Sequence, residues 1–329
     1  MPTGMTDYPT DQGAILVIGE ALIDCFHDTR MAGGAPFNVA RNLGALGASP
    51  DMITRIGDDN DGALLRDECR RFHISQDGLQ CDPKLPTGRV EVSSRGTEHI
   101  FAIAENAAWD WINPQVAKDF ARRVQPSIVC FGTLAQRAAE SRAAVTGILN
   151  GTPALRVLDL NLRRTASDIE LARWSLAHAD IAKVNDAELM RLIEWFVPDF
   201  AISAGDEDVT AYAEAIAQLL LQFPLRHFIV TQGANGYAAF NSTGRLVANG
   251  PSPGICVTDT VGAGDAFTAI VVFGEWLGWP LSVTLGRASH FAASVCTLRG
   301  AVSSDMAFYQ PWIERWQLAQ PRRQPAASA

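Results

Sequence analysis

Apolar residues in this chain fall into short runs separated by longer segments with helical spacing. Six runs read as strands: Ala14–Ile18, Asp51–Ile56, Ser127–Phe131, Arg156–Leu160, Ile181–Val184 and His227–Thr231. Strands that alternate with helices in this way build a largely parallel sheet covered on both faces. Thr87–Ile103 follows another period. Val90 and Val92 alternate with polar neighbours, Ser94-Arg95-Gly96-Thr97 makes a turn, and Ile100, Phe101 and Ile103 follow. That period-2 pattern predicts a hairpin outside the main layer. Ala266–Phe273 is apolar enough for a buried helix. Residues 1–12 and 318–329 are rich in Pro and small or polar residues and read as flexible tails, leaving 13–317 as one α/β domain. No internal repeat interrupts it.

Composition narrows the chemistry. The chain has 329 residues, 47% of them hydrophobic, and a net charge of −9, which argues against a nucleic-acid surface. Its three lysines are Lys84, Lys118 and Lys183, and no Gly-Lys-Ser/Thr exists, so a Walker A loop is excluded. An anionic ligand must then be met by backbone amides, arginines and metal ions. Cys25, Cys69, Cys81, Cys130, Cys256 and Cys296 are irregularly spaced, with no C-x-x-C pair, and read as scattered buried thiols in a reducing cytosol. The start of the chain has no basic region followed by an apolar core, so it reads as no signal peptide. The longest apolar run, Ala266–Trp279, is broken by Gly274 and Glu275 and is too short to span a membrane. A cytoplasmic protein without a membrane or nucleic-acid partner is expected.

Several strands end where chemistry could sit. Ile18 runs into Gly19-Glu20, Leu160 into Asn161 and Arg163, Val184 into Asn185, and Val230 into Thr231 and Gly233. In open α/β sheets, ligands bind at the carboxyl ends of strands. Asp259-Thr260-Val261-Gly262-Ala263-Gly264-Asp265 is a glycine-rich turn that opens into the apolar helix and ends in a carboxylate. Helix N-termini carry unpaired N–H groups that suit a phosphate, and glycines permit close approach. Asp265 would lie beside that phosphate, placed to take a proton from a hydroxyl. The same seven residues would also serve as an ordinary loop-to-helix junction. Asp24 and Asn38, flanking the Gly33-Gly34 pair, suit vicinal hydroxyls.

Together these segments resemble the ribokinase-like (PfkB) sugar kinases, over nearly the whole chain from Gly19 to about Ser304. The resemblance implies a three-layer α/β/α fold with a mostly parallel central sheet. It also implies a small β lid at about 87–103, which carries Phe101 over the sugar and can join a homodimer. Asp265 would be the catalytic base, the amides of Gly262, Ala263 and Gly264 an anion hole, and Asp24, Gly33, Gly34 and Asn38 the sugar ligands. The short connection between Asp24 and Gly33 limits what that segment adds to a lid. Asp159-Leu160-Asn161-Leu162-Arg163 resembles the family's Asp-Pro-Asn-x-Arg motif, in which Arg163 would bridge sugar and phosphate. Lys183-Val184-Asn185-Asp186-Ala187-Glu188 resembles its Asn-x-x-Glu motif, with Lys183 and Asn185 on the nucleotide and Glu188 holding Mg²⁺ through water. Thr231, Gly233 and Gly236 match the loop that binds ATP, and His290 falls near the adenine position. Asp259, Val261, Val295, Gly300 and Ser304 match a ring that binds K⁺ in some relatives. The expected activity is ATP-dependent phosphorylation of a sugar hydroxyl, with fructose preferred over 2-keto-3-deoxygluconate and over ribose or a nucleoside. A non-catalytic sugar-binding regulator is the alternative from another class.

Overall fold

A computed structural model describes residues 12–26, 29–95, 98–162, 168–200 and 209–318. Both sequence-expected tails therefore lie almost wholly outside the described residues, as does Arg163. The chain begins β1 (Ala14–Ile18), β2 (Leu22–Phe26), β3 (Thr29–Gly33), α1 (Ala35–Ala45), β4 (Asp51–Gly57), α2 (Asn60–Arg71), β5 (Leu79–Asp82), β6 (Gly88–Arg95) and β7 (Glu98–Ile103). It continues α3 (Pro114–Val124), β8 (Pro126–Gly132), α4 (Ala139–Gly151), β9 (Leu155–Asp159), α5 (Asp168–Ala177), β10 (Ile181–Asn185), α6 (Asp186–Phe196) and α7 (Ala213–Leu220). Then come β11 (His227–Thr231), β12 (Tyr237–Asn241), β13 (Leu246–Gly250), α8 (Ala263–Leu277), α9 (Leu281–Val295) and α10 (Gln310–Trp316).

Among the described residues, nine strands form one sheet in the order β13-β12-β11-β10-β9-β8-β1-β4-β5. It is parallel from β11 to β5, and β12 and β13 add antiparallel at one edge. Strand residues alternate between the two faces as the pleat requires. Ile15 and Val17 face a core that holds Phe37 of α1, Leu65 of α2, Phe273 of α8 and Leu285 of α9. Leu16 and Ile18 face the opposite core, with Phe120 of α3, Ile148 of α4, Leu176 of α5, Leu189 of α6 and Ile216 of α7. The expected three layers follow. The apolar run after Asp265 becomes α8, buried from Ala266 to Gly274 and packed against both α1 and α9.

A second sheet has the order β3-β2-β6-β7. The hairpin expected at 87–103 is present as β6 and β7, with Val92 opposite Phe101. The Phe101 side chain lies outside what is described. The short connection between Asp24 and Gly33 was expected to limit what this segment adds to a lid, yet β2 and β3 supply two of the sheet's four strands. The reason is steric. Gly33 stands opposite Leu22, and a Cβ on it would overlap the Asp24 carboxylate. The absent side chain lets β3 fold back against β2 with Asp24 turned across it. Charge fastens this sheet to the main one. Asp61 at the start of α2 accepts from Arg30 of β3 at 2.5 Å and from Arg89 of β6 at 2.7 Å.

Candidate active site

The N-terminus of α8 is the centre of the site. Gly262 caps it at φ 80°, a left-handed conformation, and any Cβ there would strike Ala301. The turn leaves first-turn amides without helical acceptors. Of the three amides expected in an anion hole, that of Ala263 is directed at the Thr260 carbonyl, at 3.3 Å. Asp265 sits in the first turn, where the helix dipole favours a negative charge. Its Oδ2 accepts from Asn38 Nδ2 at 2.7 Å.

A buried ionic cluster backs this turn. Lys183 Nζ lies 2.8 Å from Asp159 Oδ1 and 2.9 Å from Asp159 Oδ2, and donates to the Gly264 carbonyl at 3.3 Å. Thr268 Oγ1 donates to the same Asp159 Oδ2 at 2.7 Å. Burial works against the lysine charge, but the Asp159 carboxylate, with Glu188 and Asp265 beyond it, holds its pKa above the ordinary lysine value. Lys183, expected on the nucleotide, lines the cleft and also grips the helix start from behind. Replacing one partner leaves the other as an unpaired buried charge. Lys183→Met is expected to destabilise the fold by about 3–5 kcal/mol. Denaturant titration would show it, with Asp159→Asn added to the same chain recovering part of the loss. An unchanged midpoint for the single variant would refute the clasp.

Asn185 and Glu188 form a reciprocal capping box at the start of α6. Asn185 Oδ1 accepts from the Glu188 amide at 2.8 Å, and Glu188 Oε2 from the Asn185 amide at 2.9 Å. Glu188 Oε1 also accepts from the Leu162 amide at 2.7 Å. Burial raises the Glu188 pKa, and those backbone donors and Lys183 oppose the rise. The Leu162 bond, with Thr133 Oγ1 donating to the Leu160 carbonyl at 2.6 Å, pins Asn161 between them at φ 42°. Asn161, singled out in the sequence at the end of a strand, joins the site through this left-handed backbone.

These groups line one cleft of about 1230 Å³. Glu20, Leu22, Asp24, Val90, Ile103 and Leu134 line it at the small-sheet side, and Thr231, Gln232, Gly233 and Gly236 at the β11 side. β1 and β11 are four strand spacings apart in the sheet, about 19 Å. The α8 start touches Asn38 near β1 and Lys183 on β10, so it lies between the two ends. The cleft therefore has room for two small ligands meeting at Asp265. Gly34 and Asn38 line it as expected; Gly33 lies behind Asp24 instead. The loop 252–257 also lines it, and nothing in its sequence signalled this.

His290 does not belong to the site. It is exposed, and its Nδ1 meets the Gly286 carbonyl of its own helix at 2.8 Å. Ser289, Ala292, Ala293 and Cys296 occupy the cleft-facing side at helical spacing, and each residue on a helix turns about 100° from the last. In the loop expected to hold K⁺, Asp259 Oδ1 accepts from the Val261 amide at 3.0 Å and Oδ2 from the Gly300 amide at 3.1 Å. The Val295 carbonyl accepts from the Leu298 amide at 2.9 Å, and Ser304 is exposed. The cysteines are free, but Cys81 and Cys256 are exposed, against the expectation of buried thiols. Cys81 lies in the edge strand β5 and Cys256 in the cleft loop.

Charge around the cleft is one-sided. Glu20, Asp24, Asp159, Asp186, Glu188 and Asp265 line it, and among the described residues the cationic side chain there is Lys183, already paired with Asp159. A polyanion could enter such a site only with accompanying cations.

A glycine-capped helix start holding a carboxylate, in a two-ended cleft at the strand carboxyl ends, defines a kinase-type phosphotransferase site. The sequence pattern of the pfkB family carbohydrate kinases matches residues 12–307, and the chain belongs to that family. It is 26% identical over 310 residues to a fructokinase of Klebsiella pneumoniae, covering 89% of this chain and 96% of that one. Two solved structures share the fold. A fructokinase from Xylella fastidiosa with bound ATP superposes with TM-score 0.74 at 21% identity, covering 92% of this chain and 98% of that one. A 2-dehydro-3-deoxygluconokinase from Thermotoga maritima gives 0.75 at 15%, with 92% and 99% coverage. Among the described residues, no helix is long and apolar enough to cross a membrane.

Proposed function

We propose that this carbohydrate kinase phosphorylates a primary hydroxyl of a neutral sugar, D-fructose first, at the expense of ATP. The observation that carries the reading is Asp265. Its carboxylate stands in the first turn of α8, in the cleft whose lining runs from the small sheet to the end of β11. A hydroxyl delivered there loses its proton to Asp265 as it attacks phosphorus. The open amides of the α8 start meet charge on the transferring phosphoryl group. Arg163, outside the described residues, is assigned to the same group by its motif, and Phe101 to cover the sugar. At the β11 end, Thr231, Gly233 and Gly236 are assigned to ATP.

Among the described residues no three metal-binding side chains come together, so a divalent cation would enter with the nucleotide's phosphates, into a cleft rich in carboxylates whose lysine is paired. Glu188 accepts one backbone hydrogen bond on each oxygen and retains lone pairs for metal-bound water. Mg²⁺ held there would neutralise charge on the phosphates. A K⁺ at the Asp259 loop, a homodimer through the small sheet and a cytoplasmic location are supported by the family resemblance.

Charge also separates the candidate sugars. The acid group of 2-keto-3-deoxygluconate would enter beside Glu20, Asp24, Asp159 and Asp265 with no unpaired cationic side chain among the described lining residues. Fructose brings hydroxyls alone. An ADP-release assay on fructose, ribose, 2-keto-3-deoxygluconate and adenosine is expected to give the highest kcat/KM for fructose. A tenfold advantage for the sugar acid would overturn the substrate and keep the kinase. No turnover on any sugar would favour the regulator.

Asp24 tests the sugar end separately. A carboxylate accepting sugar hydroxyls contributes about 1.5–3 kcal/mol per charged hydrogen bond. Asp24→Ala should therefore lower kcat/KM for the sugar about 10- to 100-fold, with ATP affinity by calorimetry unchanged. An equal loss of ATP binding would remove Asp24 from sugar recognition.

A further inference from the structure

Asn38 was expected to read sugar hydroxyls, yet its amide is engaged at both ends by the protein. Nδ2 donates to Asp265 Oδ2 at 2.7 Å, and Oδ1 accepts from Arg41 Nη2 at 2.5 Å. The same Nη2 donates to the Ala32 carbonyl at 2.6 Å, and Nη1 donates to Glu68 Oε2 at 3.1 Å. A chain Glu68–Arg41–Asn38–Asp265 thus runs from α2 through α1 to α8. Arg41 and Asn38 are each 5% exposed, so water does not compete for these bonds.

The chemistry of the chain fixes its direction. An asparagine amide can lie either way round, with oxygen and nitrogen exchanged. A guanidinium has donors and no acceptor. Beside Arg41, the amide oxygen must face the guanidinium, and the NH₂ must then face Asp265. Turned over, the amide would set N–H against guanidinium and oxygen against carboxylate. Arg41 is itself held firmly. It lies three residues from Asn38 on one face of α1, with its guanidinium 5.2 Å from the Phe37 ring centre and 5.8 Å from that of Phe72. Burial disfavours its charge and lowers its pKa from the ordinary arginine value, and Glu68 opposes that only in part.

We propose that Arg41 is a positioning residue for phosphoryl transfer: it sets the polarity of the Asn38 amide, which then holds the Asp265 carboxylate in one orientation toward the acceptor hydroxyl. This rests on the reading of Asp265 as the base. Glu68 completes the chain by fixing Arg41 from the far side.

The test is a double-mutant cycle read in kcat. Arg41→Met should lower kcat about 10- to 100-fold, the scale set by misplacing a reacting group, with the KM for ATP unchanged. Arg41→Lys retains a donor-only cation and should recover most of the loss. In an Asn38→Leu background, Arg41→Met should cost nothing further, because its route to Asp265 is already cut. Circular dichroism establishes that each variant is folded. Should Arg41→Met fail to fold, Glu68→Gln replaces it in the same cycle, with a smaller loss that also vanishes beside Asn38→Leu. Equal losses in both backgrounds, or wild-type kcat in Arg41→Met, would overturn the proposal. No turnover of any sugar by the unmutated protein would instead overturn the kinase reading, and this proposal with it.

Discussion

Asp265→Asn is expected to lower kcat by about 10²–10⁴-fold, the range a general base contributes, in a protein that still folds. The substituted amide cannot accept a proton, so the hydroxyl must attack without assistance. The structure shows why the fold should tolerate the change. Asn38 Nδ2 donates to Oδ2, and an amide oxygen in the same place still accepts that bond, though without the carboxylate's charge. The first-turn charge favoured by the α8 dipole is lost, at a cost of about 0.3–1 kcal/mol. Calorimetry should show ATP binding retained, since the β11 end of the cleft is untouched. Near-normal kcat in a variant with a native spectrum would remove Asp265 from the chemistry and return the Gly262–Asp265 turn to an ordinary helix start.

How far the sequence announced this site depends on how local each feature is. The α8 turn was legible because its parts adjoin: Gly262, Gly264 and Asp265 fall within one helical turn and carry their own geometry. Strand ends such as Asn185 and Thr231 were legible because parallel strands point one way, so their carboxyl ends share an edge. The partners of Asn38 were not legible. Asp265 lies 227 positions away, and the amide between it and Arg41 looks in sequence like any polar residue beside a glycine pair. His290 failed for the opposite reason. It is near the right place, but one residue along a helix turns a side chain onto a different face, and Ser289 and Ala293 took the cleft. β2 and β3 were missed because Asp24 and Arg30 interrupt their apolar pattern. Asp24 is there for the cleft and Arg30 for Asp61, so the residues that disguise the strands are the ones that give them a use.

Gly264→Val should abolish most phosphoryl transfer, by about 10²–10³-fold, the cost of losing one preorganised backbone donor. A Cβ on Gly264 would sit 3.1 Å from Lys183 Nζ. Lys183 cannot simply swing aside, because Asp159 holds it from both carboxylate oxygens and it is buried. A branched side chain must then press on the ion pair and displace the helix start that presents the amides. Gly264→Ala adds a single methyl group, so Nζ has to give by a few tenths of an ångström only, and a smaller loss of rate follows. Single-turnover transfer measured beside thermal melts separates two readings. If the glycine serves phosphate approach, the rate falls steeply from Ala to Val while the melting temperature falls gently. If it serves packing alone, rate and stability decline together, and the amides of this turn are not what the transferring phosphoryl group meets.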